Sequence, residues 1–515
     1  MFSTFAGNTE LPITHYRRSV KAKPLRNALA AGLALSQLLA TVFVYRSNTA
    51  LAQKVADLHR EGYLVVPGLL TVPPLESLSA AFWGGVFYTL SIGAALTLLG
   101  FAATWLYVRL SKHRRLLAAA IVPVWSGLLY AVNSKGFEPV VSLYFVLVPA
   151  CVFAASVGSL RQAPQAGRKG VWMIPLLAAA TLAVVWTTQL NDRLFLNIRD
   201  YFLLSNPIGA RITDFYYRYT LFAAEPFKSL DQKTLHTCRV SGLKDSTLRN
   251  RVEQRLRSYD YLPVKNPETV ELSLFAADGE FVFSDNGREI LWAEPSVFFS
   301  ATDELLALFS EKTDRYAFLR GFTFYAILLA FPLLLFTAAY GLVYYLTGIL
   351  LRPDPAKLIS AAVCLLLGTA PLLPLQLAGA RSPAPQNVDL DAALNSGHWR
   401  QQVAALRRIE QHGLEIADFN SYPNLLNASR VPVRYWSARA LSVSRRSETI
   451  DDLLRLLDDP QPTVVCQALY ALGQRRNRSA TAAVAITLKR STSWYVQHYA
   501  YRALRSLGWK QPALS

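Results

Sequence analysis

The chain has 515 residues, a net charge of +18, 52% hydrophobic and 17% charged residues, and a mean hydropathy of +0.22. Soluble domains average about 25% charged residues, so a purely soluble chain of this length is not expected. Four cysteines, Cys151, Cys238, Cys364 and Cys466, without CxxC spacing exclude a zinc ribbon, a thioredoxin-like motif and a c-type haem site. The histidines are scattered, so neither a metal site nor a cofactor is expected, and no catalytic residue stands out.

From the N-terminus, a basic tail (residues 1–26) precedes seven apolar stretches of the length a membrane crossing takes: 27–45, 80–108, 116–132, 139–160, 171–190, 321–347 and 358–379. The pieces between them alternate in charge. The tail (Arg17, Arg18, Lys21, Lys23 and Arg26 against Glu10), the loop 109–115 and the loop 161–170 are strongly basic, whereas 46–79 and 133–138 are neutral. Lys and Arg gather on the cytoplasmic side of short loops, which places the N-terminus inside and both 191–320 and everything after 379 outside. The basicity therefore reads as topology, and no nucleic-acid partner is expected. Ala50-Leu51-Ala52 has the small-x-small form of a leader-processing site, set against a long basic region and a span-sized apolar run.

The stretches carry small residues at helical spacing: Ala28, Gly32, Ser36 and Ala40 on the first, Gly85, Thr89, Gly93 and Thr97 on the second. Such ridges let helices approach closely, within one bundle or towards a second subunit. No charged residue lies inside the stretches away from their ends, which argues against transport on a buried carboxylate. Prolines at 123, 149, 175, 332, 371 and 374 can kink helices.

Residues 191–320 read as an extracytoplasmic α+β domain. Asn206-Pro207 starts a helix to about Phe222. It places Arg211, Asp214 and Arg218 on one stripe and Ile208, Ile212, Phe215, Tyr219 and Phe222 on another, suited either to a membrane interface or to packing on its own domain. Strands are expected at 234–240, 269–275, 280–283 and 288–292, with turns at Asp278-Gly279 and Asn286-Gly287, and a helix capped by Asp245 or Ser246 runs to Ser258. Cys238 and Cys466 would share an oxidising compartment, where pairing is one open outcome.

After a second pair of apolar stretches (321–379) and a linker (380–395), the chain repeats itself. Asp459-Pro460-Gln461-Pro462-Thr463-Val464-Val465-Cys466-Gln467-Ala468-Leu469-Tyr470-Ala471-Leu472-Gly473 has relatives at 431–441 and 495–508 and a degenerate copy at 397–407. Ala-Leu pairs recur at 405–406, 440–441, 471–472 and 503–504. The pattern resembles HEAT repeats, with a period nearer the shorter bilin-lyase-type variety, and it implies an α-solenoid over 396–515. Second helices are expected from Thr449, with Asp452 completing a capping box, and around Ala480, Ala483, Val484 and Leu488.

The resemblance implies docking of protein partners and no lyase activity. Arg407-Arg408, Arg445-Arg446 and Arg475-Arg476 close the first helices and would stack into a basic ridge, either complementing helix C-termini or receiving an acidic partner or anionic headgroups. The architecture expected is mainly α: a seven-span bundle, a small α+β domain and a C-terminal solenoid. The role expected is a membrane-anchored scaffold or accessory subunit of a cell-envelope complex. The alternatives are a permease-like or channel-like subunit, and an enzyme embedded in the membrane and acting on lipid or glycan.

Overall fold

The computed structural model describes residues 11–109, 114–162, 173–188, 192–265, 270–372 and 389–512. Residues 1–10 of the basic tail, 110–113 and 163–170 of the two basic loops, and most of the linker 380–395 lie outside the described residues. The chain is mainly helical with one small mixed sheet, and it divides into two compact units. The first draws on 1–44, 82–189 and 315–371, the second on 45–81, 190–314 and 372–515.

In the first unit the helices are apolar. Four described helices are long and apolar enough to cross a membrane by length and composition: Pro24–Arg60, Leu78–Arg109, Pro139–Gln162 and Ala317–Leu350. The other three expected stretches fall short of that. Ala119–Asn133 and Met173–Thr187 are apolar but brief, and the helix Pro353–Thr369 has 17 residues. Among the described residues the clear span-length helices thus number four, against the seven stretches expected.

The first of these belongs to a continuous 50-residue helix, Leu11–Arg60, so the stretch 46–60, expected in a loop, is helical. The sequence offers no Gly or Pro between Gly32 and Gly62 to stop it. It ends where Gly62 takes a φ of +85°, with Gly62 N–H donating to the His59 carbonyl and Tyr63 N–H to that of Leu58. That is a Schellman closure, which needs a left-handed residue. Ala50-Leu51-Ala52 sits inside this helix.

Where the first helix meets Leu78–Arg109, the two small-residue stripes face each other. A Cβ on Gly32 would stand 2.7 Å from Thr97 Cγ2, one on Gly93 2.6 Å from Ser36 Oγ, and one on Gly85 3.1 Å from the Thr41 nitrogen. Ala28, Ser36 and Thr97 are fully buried, Ala40 and Thr89 nearly so. Thr89 also donates to Gln37 Oε1 at 2.8 Å. Most other buried hydroxyls here (Thr41, Ser91, Thr104, Ser156) donate to the carbonyl four residues back, each at 2.7 Å. Their hydrogen bonds are spent inside the helices.

The second unit holds a five-stranded sheet in the order β2-β1-β3-β4-β5, with β1 His236–Ser241, β2 Tyr261–Pro263, β3 Leu272–Ala277, β4 Glu280–Asp285 and β5 Arg288–Ala293. β1 pairs in parallel with β2 and β3, and β3-β4-β5 form an antiparallel meander. Both meander turns put two consecutive residues at positive φ, Asp278-Gly279 and Asn286-Gly287, as their sequences suggest. Helix Ser246–Ser258 is capped by the Asp245 carboxylate, which accepts from Thr247 N–H at 2.8 Å. The three-residue strand β2, too short to show periodicity, was not anticipated. Cys238 is buried in the core of this sheet, while Cys466 is buried in that of the repeats. Both are free thiols, so they do not pair, and burial pushes each well above the usual thiol range.

The repeats follow as antiparallel helices. Trp399–His412, Val431–Ala440, Pro462–Arg475 and Trp494–Ser506 are the first helices; Tyr422–Leu426, Thr449–Arg455 and Thr481–Arg490 are the second. All four Ala-Leu pairs are buried at 3% exposure or less, and a Cβ on Gly473 would lie 3.2 Å from the Ala503 Cα. Small residues at these positions are what lets successive first helices stack. The expected capping box at Thr449 does not form. Thr449 is itself helical and buried, and its hydroxyl donates back to the Arg446 carbonyl at 2.7 Å.

Candidate docking surface of the helical repeats

The second and third repeats are each fastened to the one before by charged side chains. Asp459, from the Asp-Pro start of the third unit, accepts from Arg434 Nε at 2.6 Å and Nη2 at 3.1 Å, and from Gln461 N–H at 2.8 Å. It therefore closes its own turn and ties it to the preceding first helix. Glu410 pairs with Arg439, and Glu415 accepts from the Ser444 hydroxyl at 2.6 Å and from Arg445 N–H at 2.9 Å. Burial pushes the Glu415 carboxyl up, but these donors outweigh it and hold it below the usual range.

The arginine pairs divide in the same way. Arg407 turns inward and pairs with the fully buried Asp200. Arg446 pairs with Asp418, and Arg475 donates to Thr449 Oγ1 at 2.6 Å and to the Arg446 carbonyl. Arg445 and Arg476 are exposed, and Arg408 is half-buried with interactions of its own. Arg476 closes its helix at a φ of +51°. One arginine of each pair thus has a partner within the chain: Arg407 on Asp200, Arg446 on Asp418, and Arg475 on Thr449 and the Arg446 carbonyl.

The face formed by the first helices is covered by the chain's own segment Asp192–Phe227. Asp200 accepts from Arg199 Nε at 2.7 Å, from Trp436 Nε1 at 2.7 Å and from Arg407. Arg199 donates to the Tyr435 hydroxyl at 2.9 Å and lies 4.4 Å above that ring, while Arg407 lies 4.8 Å above Trp436. Tyr201 packs on Trp399, Tyr217 stacks on Tyr495 at 4.0 Å between centroids, and Phe222 meets Trp494 at 4.3 Å. Stacked aromatics and desolvated cation–π contacts of this kind are what a protein interface uses as anchors. Here they are intramolecular.

The last repeat binds the remainder of the unit. Gln497 Oε1 accepts from Gly68 N–H at 2.8 Å, and Gln511 exchanges hydrogen bonds with the Leu64 backbone. Tyr501 donates to Asp260 at 2.6 Å, and Arg505 pairs with the same carboxylate at 3.2 Å. Burial pushes Asp260 up, against the pull of those two partners. His498 shares a 2.8 Å hydrogen bond with the Thr234 hydroxyl; burial, with Lys228 and Arg502 adding to it, lowers its pKa to about 4. A groove of about 1000 Å³ remains between the covering segment, residues 70–80 and the starts of the first helices. Asp214, Tyr217, Arg218, Gln461, Ser493 and Trp494 are among its walls.

Of these features the sequence signalled the Asp-Pro turn and the Ala-Leu pairs. It did not signal that 192–227 lies on the stack. Arg199 and Asp200 pair as chain neighbours, but their partners Tyr435, Trp436 and Arg407 are more than two hundred residues away. A family model of HEAT repeats matches residues 423–505. No curated protein and no solved structure matches the chain. The C-terminal repeats are therefore HEAT repeats, a class that serves as a scaffold for protein–protein interaction.

Proposed function

We propose that this chain is a membrane-anchored scaffold or accessory subunit of a cell-envelope complex, with the HEAT repeats outside the cytoplasm offering the docking surface. The observation carrying it is that the repeats share one core with chain segments that immediately adjoin the apolar helices. A docked partner would therefore be held on a rigid unit rather than on a tether. Four span-length helices, with the three shorter ones as further crossings, and the basic-against-neutral loop pattern support an inserted chain with its N-terminus inside.

The first-helix face is occupied, so partners meet the second helices and the loop ends where Arg445 and Arg476 are exposed. These two cations favour an acidic partner, screened within about 8–10 Å at physiological salt. Reversing both to Glu is expected to leave the protein inserted and folded while removing its partners in crosslinked affinity purifications. Retention of every partner would overturn docking at this edge. An exported phosphatase fused after Ser515 is expected to be active; activity only of a cytoplasmic reporter there would overturn the sidedness.

A further inference from the structure

The segment that covers the repeats is itself two-faced. Its inward side chains, Asp200, Tyr217 and Phe222, are held by the stack. Its outward ones are large and apolar: Phe195 is 53% exposed, Phe202 43%, Ile208 66%, Ile212 46%, Phe215 37% and Tyr216 46%. In helix Pro207–Phe215 and the turn after it, Ile208, Ile212, Phe215 and Tyr216 stand at i, i+4, i+7 and i+8 and form one stripe. Arg211, Asp214 and Arg218 form the neighbouring charged stripe and are exposed. Helix Asp192–Ile198, continued to Leu203, and helix Pro207–Phe215 are locked edge to edge. Asn206 caps the second by accepting from Gly209 N–H at 2.8 Å, and a Cβ on Gly209 would lie 2.7 Å from Leu203 Cα and run into the Phe202 carbonyl.

We infer that Asp192–Thr220 is an interfacial platform whose outward stripe lies in the headgroup layer of a lipid bilayer, with the HEAT repeats resting on its other side. The inference rests on the membrane reading above and adds to it where the repeats sit. Three observations choose lipid as the occupant. The platform starts five residues after the apolar helix Met173–Thr187 ends. Leu69, Leu70 and Leu78 of the same unit, also exposed, come just before or at the start of the apolar helix Leu78–Arg109. The stripe is narrow, and its flanking arginines can reach headgroup phosphates while Ile, Phe and Tyr enter the acyl boundary. A protein interface of standard size takes about 20–30 residues a side, many more than these six.

The test uses the full chain reconstituted in liposomes, in a Cys151→Ala background; the other three cysteines are buried. A nitroxide is placed in turn through Ile212→Cys, Phe215→Cys, Asp214→Cys and, within an apolar helix, Leu342→Cys. Collision rates with oxygen, which concentrates in lipid, and with a water-soluble nickel chelate are then compared. Expected at positions 212 and 215 is a several-fold excess of oxygen over nickel collisions relative to position 214, with 342 deeper than all of them. Nickel access at 212 and 215 equal to that at 214, with 342 still in lipid, overturns the platform and leaves the membrane reading standing. Immobilised labels at 212 and 215 closed to both reagents would assign the stripe to a protein partner and likewise overturn it. Nickel access at 342 would sink the membrane reading itself.

Discussion

Asp200 is a carboxylate of the second unit held entirely by side chains. It is fully buried and receives two guanidinium groups and an indole N–H, while Arg199 Nη2 and Arg407 Nε stay buried without an acceptor. Such a cluster adds little over a well-packed apolar core, but removing one partner strands the others. Asp200→Ala is therefore expected to cost about 3–5 kcal/mol, read as a fall in the thermal midpoint of the purified protein. A change within about 0.5 kcal/mol would mean that the arginines relax to water instead.

Among elements, the paired helices of 192–224 show how one small residue governs an arrangement. The contact at Gly209 is against backbone, which cannot rotate out of the way as a side chain could. Gly209→Ala is expected to destabilise by about 1–3 kcal/mol, the usual cost of overpacking, although alanine favours a helix on intrinsic propensity. Limited proteolysis within 192–224 checks it: faster cleavage in the variant is expected, and an unchanged pattern would count against the locked platform. Gly32, Gly85 and Gly93 play the corresponding part between the first two apolar helices. There the neighbours are chiefly side chains, so single alanines should be tolerated better.

At the scale of the whole molecule, the repeats, residues 45–81 and part of the α+β region share one core. A chain ended near Ala380 would expose Phe222, Leu204 and Leu262, which makes charge reversal at Arg445 and Arg476 the cleaner probe of docking. The second unit also holds two histidines kept neutral by burial. His236 is lowered to about 3 by burial, with Lys54 and Lys233 adding to it against Glu271, and His498 is lowered to about 4. Unfolding frees both to protonate near 6.5, so stability is full above that value and falls as pH drops towards 4. Glu271 adds to the acid loss. Burial pushes its carboxyl up, but Lys54, Lys233 and His236 outweigh it and hold it below the usual range, giving stability that is lost as pH falls below about 4.5. The thermal midpoint is expected to decline from pH 6.5 to 4, with a shallower decline in His498→Gln.

The sequence by itself determined everything that depends on neighbours along the chain. The apolar helices, the two positive-φ turns, the Asp245 and Asn206 caps and the HEAT period are all set by residues within a few positions of one another. Only the tertiary structure decided what those elements touch. It ran the first helix on to Arg60, gave Arg407, Arg446 and Arg475 partners distant in the chain, and kept Cys238 and Cys466 in separate cores. It also laid 192–227 across the first-helix face. The reason is physical: periodicity tells which face of a helix is apolar, but two apolar faces meet through shape and polar partners hundreds of residues apart. No local pattern records that Trp436 will donate to Asp200.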